Sequence, residues 1–543
     1  MRASRRKFLV AGAATAIAAG AAPFVLRSAK PRYTGGIVGG NSVLGHAMRD
    51  GKLPPSVENA EVEVVIVGGG IAGLAAARRL KRDGLNNFML LELESQPGGN
   101  ATSGQNTVSA YPWGAHYVPL AGSDAPEITQ LFEELGVITG RNTAGLPIYN
   151  EEYLCADPME RLFLNGRWQE GLVPQLGLSA SEQRTIESFL AEMNALKAAR
   201  GSDGKRAFTI PVDESSRDEA FRQLDRITMA EYLRSRGWLD CVPLRWYVNY
   251  CCRDDYGAGI DQISAWAGVH YFASRDAQAA NAPSYAVVTW PEGNGWLVRQ
   301  MRSPLATNIR TSCAVWNVEA KDAGFAVGYY DLARDRSVRV QAKGVIWAAP
   351  RFVAQRAVRA LREPSLDSSS ITYSPWMVAN LTSNTLPEGL GASLAWDNVI
   401  YDNDSLGYVV ATHQNLHPFP KRTVITYYQP LDSEEPVAAR RLALERTYDQ
   451  WCRQIFANLN TAHPDLEKHT SHLDVWLWGH AMVRPVPGFI WGDTRQKMLQ
   501  PMGNLLFAHS DMSGISIFEE AYIHGVRAGD SLLKRLGHSA SRV

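Results

Sequence analysis

An α/β fold, built as a Rossmann-like three-layer domain interleaved with an α+β domain, follows from three observations. The chain has 543 residues, too many for one hydrophobic core, so two or more domains are expected. A β-branched run, Val62 to Val67, enters Gly68-Gly69-Gly70-Ile71-Ala72-Gly73 and then an Ala/Leu/Arg-rich helical stretch that stops at Gly84. That order is strand, glycine turn, helix. Further glycine-bearing segments with strand and helix patterns recur far downstream.

The composition, 45% hydrophobic and 20% charged, is that of a globular protein and excludes wholesale disorder. Lys+Arg and Asp+Glu both number 55, and without a basic excess nucleic acid is dropped as a partner. Ser4-Arg5-Arg6-Lys7-Phe8-Leu9 precedes an Ala/Gly-rich stretch running to about Leu26. This resembles a twin-arginine export signal over residues 1–30, which implies passage through the twin-arginine translocation machinery to a periplasmic or extracytoplasmic location. Cleavage or retention of the signal as an anchor is left open. No other run approaches the 18 or so apolar residues that span a bilayer. Residues 31–60, rich in Gly and turn formers, read as an extended lead-in. The six cysteines show no CxxC spacing, so buried thiols are expected, with disulfide pairing left open.

Glycine is needed in the first turn for stated reasons. Gly68 allows the tight bend, Gly70 lets the backbone approach a pyrophosphate, and Gly73, after Ala72, lets helix and strand pack closely. The phosphates then meet a helix N-terminus, whose free N–H groups favour negative charge. The next strand, Phe88 to Leu91, ends at Glu92, placed to accept hydrogen bonds from the adenosine ribose. Glu92 in place of an arginine disfavours a 2′-phosphate.

From Glu92 through Gly98-Gly99-Asn100 the sequence resembles the superfamily of FAD-dependent amine oxidases, protoporphyrinogen oxidases and carotenoid desaturases. The resemblance implies FAD as cofactor, with Gly98 and Gly99 against its ribityl-phosphate region; Asn100 stands where the family usually has Arg. Trp113-Gly114-Ala115-His116-Tyr117 is similar to the segment that passes beside the isoalloxazine ring. Pro291-Glu292-Gly293-Asn294-Gly295 resembles the turn that returns the chain to the FAD domain. Val315 to Val318, with Val345 to Pro350, is similar to the adenine-side strand pair, implying backbone contact at Val318 and closure near the cofactor at Pro350. Asn504 to Ala508, Ser510-Asp511 and a helix from about Ile517 to Leu536 resemble the C-terminal FAD motif, with Glu519 in the first turn. In that motif a helix N-terminus points at the flavin pyrimidine and stabilises the reduced form by about 0.3 to 2 kcal/mol. Here His509 replaces the usual Gly, and Glu519-Glu520-Ala521 replaces Glu-Gly-Ala.

The resemblance implies that these segments join into one discontinuous FAD-binding domain, 61–125, 284–360 and 485–543, with 126–283 and 361–484 forming a substrate domain. Trp238, Trp246, Trp266, Trp376, Trp396, Trp476 and Trp478 fall in or beside those insertions; packing is the default role of each, and several around one pocket would cage a cationic amine. Tyr373 to Asn380 resembles the strand that in many amine oxidases delivers a lysine to flavin N5. No Lys lies between Lys343 and Lys421, and Asn380 sits near the expected place. His480, His413 and His116 are the acid–base candidates, because imidazole titrates near neutrality; the resemblance favours His480 over His413. No metal-ligand cluster, HExxH or GxSxG is present in the sequence.

These readings together predict an exported FAD-dependent oxidoreductase that takes hydride from an amine-type small molecule and passes electrons to O2 or another acceptor. The alternatives are C–C dehydrogenation of the desaturase or protoporphyrinogen-oxidase kind, a redox-neutral flavin isomerase, and a non-catalytic flavoprotein that serves as a binding module.

Overall fold

The structure is a computed structural model and describes residues 33–56, 58–362, 371–415 and 421–538. Residues 1–30, expected from the sequence to be an export signal, lie outside the described residues. Two large sheets organise the chain.

The first has seven strands. Ile309–Arg310, Phe88–Leu91, Glu58–Val67, Arg336–Trp347 and Leu505–Phe507 run parallel, side by side in that order. Cys313–Lys321, Gly324–Asp331 and Arg336–Trp347 form an antiparallel meander on the same sheet. The parallel strands are covered on both faces, which is why they read as unbroken apolar runs rather than alternating ones. Val64, Ile66 and Ile346 point into a core with the helices Ile71–Arg82 and Phe518–Arg535. Val65, Val67, Val345 and Trp347 point the other way, into a core closed by the meander and the Arg351–Ala357 helix.

The second sheet has eight strands, ordered Ile37–Val38, Thr470–Val483, Tyr373–Ser383, Thr423–Pro430, Tyr408–Val410, Asp397–Ile400, Glu160–Leu164 and Arg167–Glu170. Tyr373–Ser383 lies inside it, paired on both edges, and all eleven of its residues are buried. A helical lobe, including Ala180–Ala198, Met229–Ser235, Val242–Tyr256 and Ala265–Ala273, packs around its own core. Among the described residues no helix is long and apolar enough to cross a membrane. All six cysteines are free thiols.

The lead-in departs from the extended run expected of it. Ile37–Val38 adds a parallel strand beside Val475 and Trp476, and Ser42–Arg49 is a helix whose N-cap Asn41 accepts a hydrogen bond from the Leu44 N–H. Turn-rich composition hid it, because one good cap and a single buried residue, Leu44, suffice for two turns that dock on a preformed surface. The backbone N–H of Asn41 donates to both Glu94 carboxylate oxygens, at 2.8 and 3.0 Å. The segment thus straps the edge of the second sheet to the loop after Glu92.

Candidate active site

The glycine turn is built as close packing requires. Gly68 has φ +101°, and a Cβ there would stand 2.8 Å from the Ala348 carbonyl oxygen. At Gly73 a Cβ would stand 1.9 Å from the Gly68 carbonyl oxygen. The second glycine pair lies against the first: Gly98 N–H donates to Gly69 O at 3.0 Å, and Gly70 and Gly98 form a parallel bridge. Helix 71–82 begins after Gly70, buries Ala72, and has no side-chain cap at its N-terminus, so its first N–H groups are left for a ligand. A Cβ on Gly70 would meet nothing nearer than Gly99 Cα at 4.0 Å. Glu92 is buried and accepts from Gly69 N at 2.6 Å and Glu94 N at 2.8 Å. Burial pushes its pKa up to about 7, against the pull of the Glu94, Gly69 and Leu93 N–H groups. A bare backbone groove, an uncapped helix start and a buried carboxylate fit the diphosphate and ribose of a dinucleotide.

Downstream segments meet this turn. Val318 is buried and bridges Val358. Pro350 precedes the helix at Arg351, whose N–H donates to Asp511 Oδ2 at 2.8 Å; Tyr373 O–H donates to the same oxygen at 2.6 Å. Burial alone would raise the Asp511 pKa, but His509 and these donors hold it below the usual range. Ser510 and Glu519 are buried. Burial raises the Glu519 pKa, opposed by the Arg275 charge. The bulk of Glu520 is absorbed because its carboxylate turns into the helical lobe, where it accepts from Val212 N at 2.6 Å and from the Ser513 hydroxyl. Asn100 spends its amide on the Ala481 carbonyl at 2.5 Å, tying the second glycine pair to the second sheet.

His116 is the candidate histidine that the fold surrounds with aromatic rings. Its ring centroid lies 5.2 Å from Tyr428, 5.4 Å from Tyr117 and 5.5 Å from Trp396. Nδ1 lies 3.0 Å from the Gly114 carbonyl, which assigns the proton to Nδ1 and leaves Nε2 an acceptor. Burial lowers its pKa to about 4, so the ring is neutral at pH 7. Beside these rings stand acids. Asp397 is buried and accepts from Tyr428 O–H at 2.9 Å and Tyr250 O–H at 3.5 Å. Burial first, then the Glu160 and Asp254 charges, push its pKa well above the aspartate range. Burial, then the Asp255 charge, raise the Asp254 pKa to about 8; burial raises that of Asp255, opposed by Arg275 3.5 Å away. Four carboxylates, one guanidinium and several tyrosines therefore share one interior region.

The other candidates lie apart. Asn380 is buried, its amide donating to Pro112 O at 2.9 Å and accepting from Thr426 O–H at 2.6 Å. His413 meets the Ala156 carbonyl through Nε2 at 2.8 Å and pins a turn; burial lowers its pKa. His480 stacks on Phe352 at 4.1 Å, in a cluster with Tyr373 rather than with His116; burial, then the Arg440 charge, lower its pKa to about 4. The tryptophans do not form one cage. Trp396 faces His116, Trp246 packs on Tyr250 and Tyr401, and Trp476 stacks on Trp478 and Trp113, whereas Trp238 and Trp266 pack in the helical lobe. Sequence reasoning missed Asp254, Asp255, Glu160 and Arg275. Adjacent acids near the end of an otherwise core-facing helix, Val242–Tyr256, were the available signal.

Comparison with known proteins places this geometry. Residues 66–135 match the family model of the NAD(P)-binding Rossmann-like domain. Over 341 residues the chain is 24% identical to the chloroplastic protoporphyrinogen oxidase of Oryza sativa subsp. japonica, covering 60% of each protein; the match spans under two thirds of that relative's length. Putrescine oxidase bound to putrescine superposes with a TM-score of 0.63 at 16% identity, over 88% of this chain and 100% of that one. Cyclohexylamine oxidase from Brevibacterium oxydans superposes with a TM-score of 0.62 at 15% identity, over 89% and 100%. The chain has the fold of these amine oxidases. At such identity the likeness carries the architecture, and the chemistry has to come from the residues described above.

Proposed function

We propose that this chain is a FAD-dependent oxidoreductase acting on an amine-type substrate, with 61–125, 284–360 and 485–543 as its cofactor-binding unit. The observation that carries the reading is the acidic, aromatic-walled region around His116, on the segment that follows the glycine cradle. Bound FAD would supply the acceptor for a hydride leaving the carbon next to nitrogen. The protein's part is orientation, electrostatics and exclusion of water. The incoming ammonium group displaces the protons that burial keeps on Asp397 and Asp254, which pass to solvent, and the carboxylates so formed hold it, while the faces of Trp396, Tyr117 and Tyr428 contribute cation–π attraction. An ammonium must lose a proton before its carbon can release hydride, and the neutral His116 offers Nε2 as the acceptor. Loss of a proton to the imidazole and of a hydride from the carbon would leave a C=N product, with bound FAD the group that would supply the two-electron acceptor.

Anaerobic mixing of flavin-loaded protein with a panel of mono- and diamines tests this. The flavin band is expected to bleach with at least one amine. Bleaching by a porphyrinogen and by no amine would move the assignment to C–C dehydrogenation, the second reading. That alternative is favoured by Asn380, which offers no ammonium where many relatives place a lysine, and by the protoporphyrinogen oxidase match.

We also propose that residues 1–30 direct twin-arginine export of the folded, cofactor-loaded chain. Replacing Arg5 and Arg6 by Lys is expected to retain the protein in the cytoplasm in a fractionation assay; unchanged export would remove the assignment.

A further inference from the structure

Among the described residues, the guanidinium groups of Arg161 and Arg495 are satisfied and that of Arg351 is not. Arg161, fully buried, donates from Nε to Asn398, from Nη1 to the Ala392 carbonyl, and from Nη2 to the Pro387 carbonyl and the Tyr408 hydroxyl. Arg495, also fully buried, donates to the Met512 and Ile490 carbonyls and to Asp213. Arg351 is 3% exposed, yet its Nε and Nη1 have no hydrogen-bond partner; among the described residues it is the only arginine with two such nitrogens. Its guanidinium lies over the Phe507 ring, 4.1 Å from the centroid. Burial lowers its pKa to about 10, so it stays charged at neutrality. Of the carboxylate beside it, Asp511 Oδ2 takes the Arg351 backbone N–H and the Tyr373 hydroxyl, while Oδ1, 3.0 Å from His509 Nδ1, has no hydrogen-bond partner either. A buried cation with idle donors is costly unless an anion completes it.

The place of this cation says which anion. Arg351 follows Ala348-Ala349-Pro350, and the position of a Cβ on Gly68 is 2.8 Å from Ala348 O and 3.0 Å from Ala349 N. Phe507, beneath the guanidinium, ends the strand that pairs with Trp347. Arg351 therefore stands at the seam between the glycine turn and the C-terminal segment. Asn100, in the position where an arginine was expected, is neutral and spends its amide on Ala481. We infer that Arg351 is the cation that binds the dinucleotide diphosphate, taking over from the side chain missing at Asn100. A planar fork of donors suits phosphate oxygens better than a point charge does. This inference rests on the FAD reading above.

The experiment is titration of the full-length chain, isolated free of flavin, with FAD and separately with riboflavin, which lacks phosphate. Arg351→Met is expected to weaken FAD roughly 10- to 100-fold, the scale of hydrogen bonds to a charged group, and to leave riboflavin unchanged. Adding Asn100→Arg is expected to regain part of the FAD affinity. If Arg351→Met fails to fold, Arg351→Lys replaces it, with intermediate FAD affinity expected. Equal FAD affinity in wild type and variant overturns the role of Arg351 alone; wild type that binds no FAD overturns the cofactor reading itself.

Discussion

Gly73→Ala is expected to yield protein that is insoluble or unable to hold flavin. The added Cβ would lie 1.9 Å from Gly68 O and 3.0 Å from Gly68 C, both backbone atoms of the turn that has to bend toward the cofactor. Relief by moving helix 71–82 outward is blocked on its other side, where a Cβ on Gly525 would already be 2.2 Å from Ala72 O. The helix is wedged between strand and C-terminal helix, with Leu74, Ala76 and Leu80 wholly inaccessible. Overpacking at such a site costs about 3 kcal/mol or more. Gly36→Ala, with nothing within 4 Å of the new carbon, is the control and should leave the denaturation midpoint unchanged. A Gly73→Ala protein with normal midpoint and full flavin absorbance would refute the packing of the cradle.

Asp397→Asn is expected to raise KM for amine substrates on the order of 100-fold, about 3 kcal/mol, while the fold is kept. Asn has the same shape and still accepts from Tyr428, but it cannot balance an ammonium in a buried site. The same substitution should change the response of ligand-free stability to pH. The Asp397 pKa is raised in the folded state, first by burial and then by Glu160 and Asp254. As pH climbs from the ordinary aspartate range, the unfolded chain releases its proton before the folded one does. The contribution to stability is therefore full in acid and is lost as pH rises toward the raised value. Thermal melts from pH 4 upward should show a smaller decline for Asp397→Asn than for wild type. An unchanged KM would remove Asp397 from amine recognition, and parallel melting curves would remove its unusual protonation.

The glycine cradle was legible because its signals are short in range. Val62 to Gly73 spells strand, turn and helix within a dozen residues, and the structure has that strand, turn and helix, with close approaches at Gly68 and Gly73. Val318, Pro350 and Asp511 came from resemblance over longer spans, and the structure sets Pro350 and Asp511 beside one another through the Arg351 N–H. The histidines were not legible. All three sit in strands or turns of similar composition, yet Tyr117, Trp396 and Tyr428, supplied by segments about 300 residues apart, surround His116 and leave His480 on Phe352.

From the sequence alone came the strand, glycine turn and helix of the first unit, since backbone conformation and local pattern dictate those features; the second, interleaved domain and the strand without its lysine were expectations carried by resemblance. Tertiary structure alone decided which acids meet which rings, where the side chain of Glu520 turns, and that Arg351 is left with idle donors. Those depend on side chains brought together across two sheets, where burial sets charge and proton affinity, and no spacing along the sequence encodes burial.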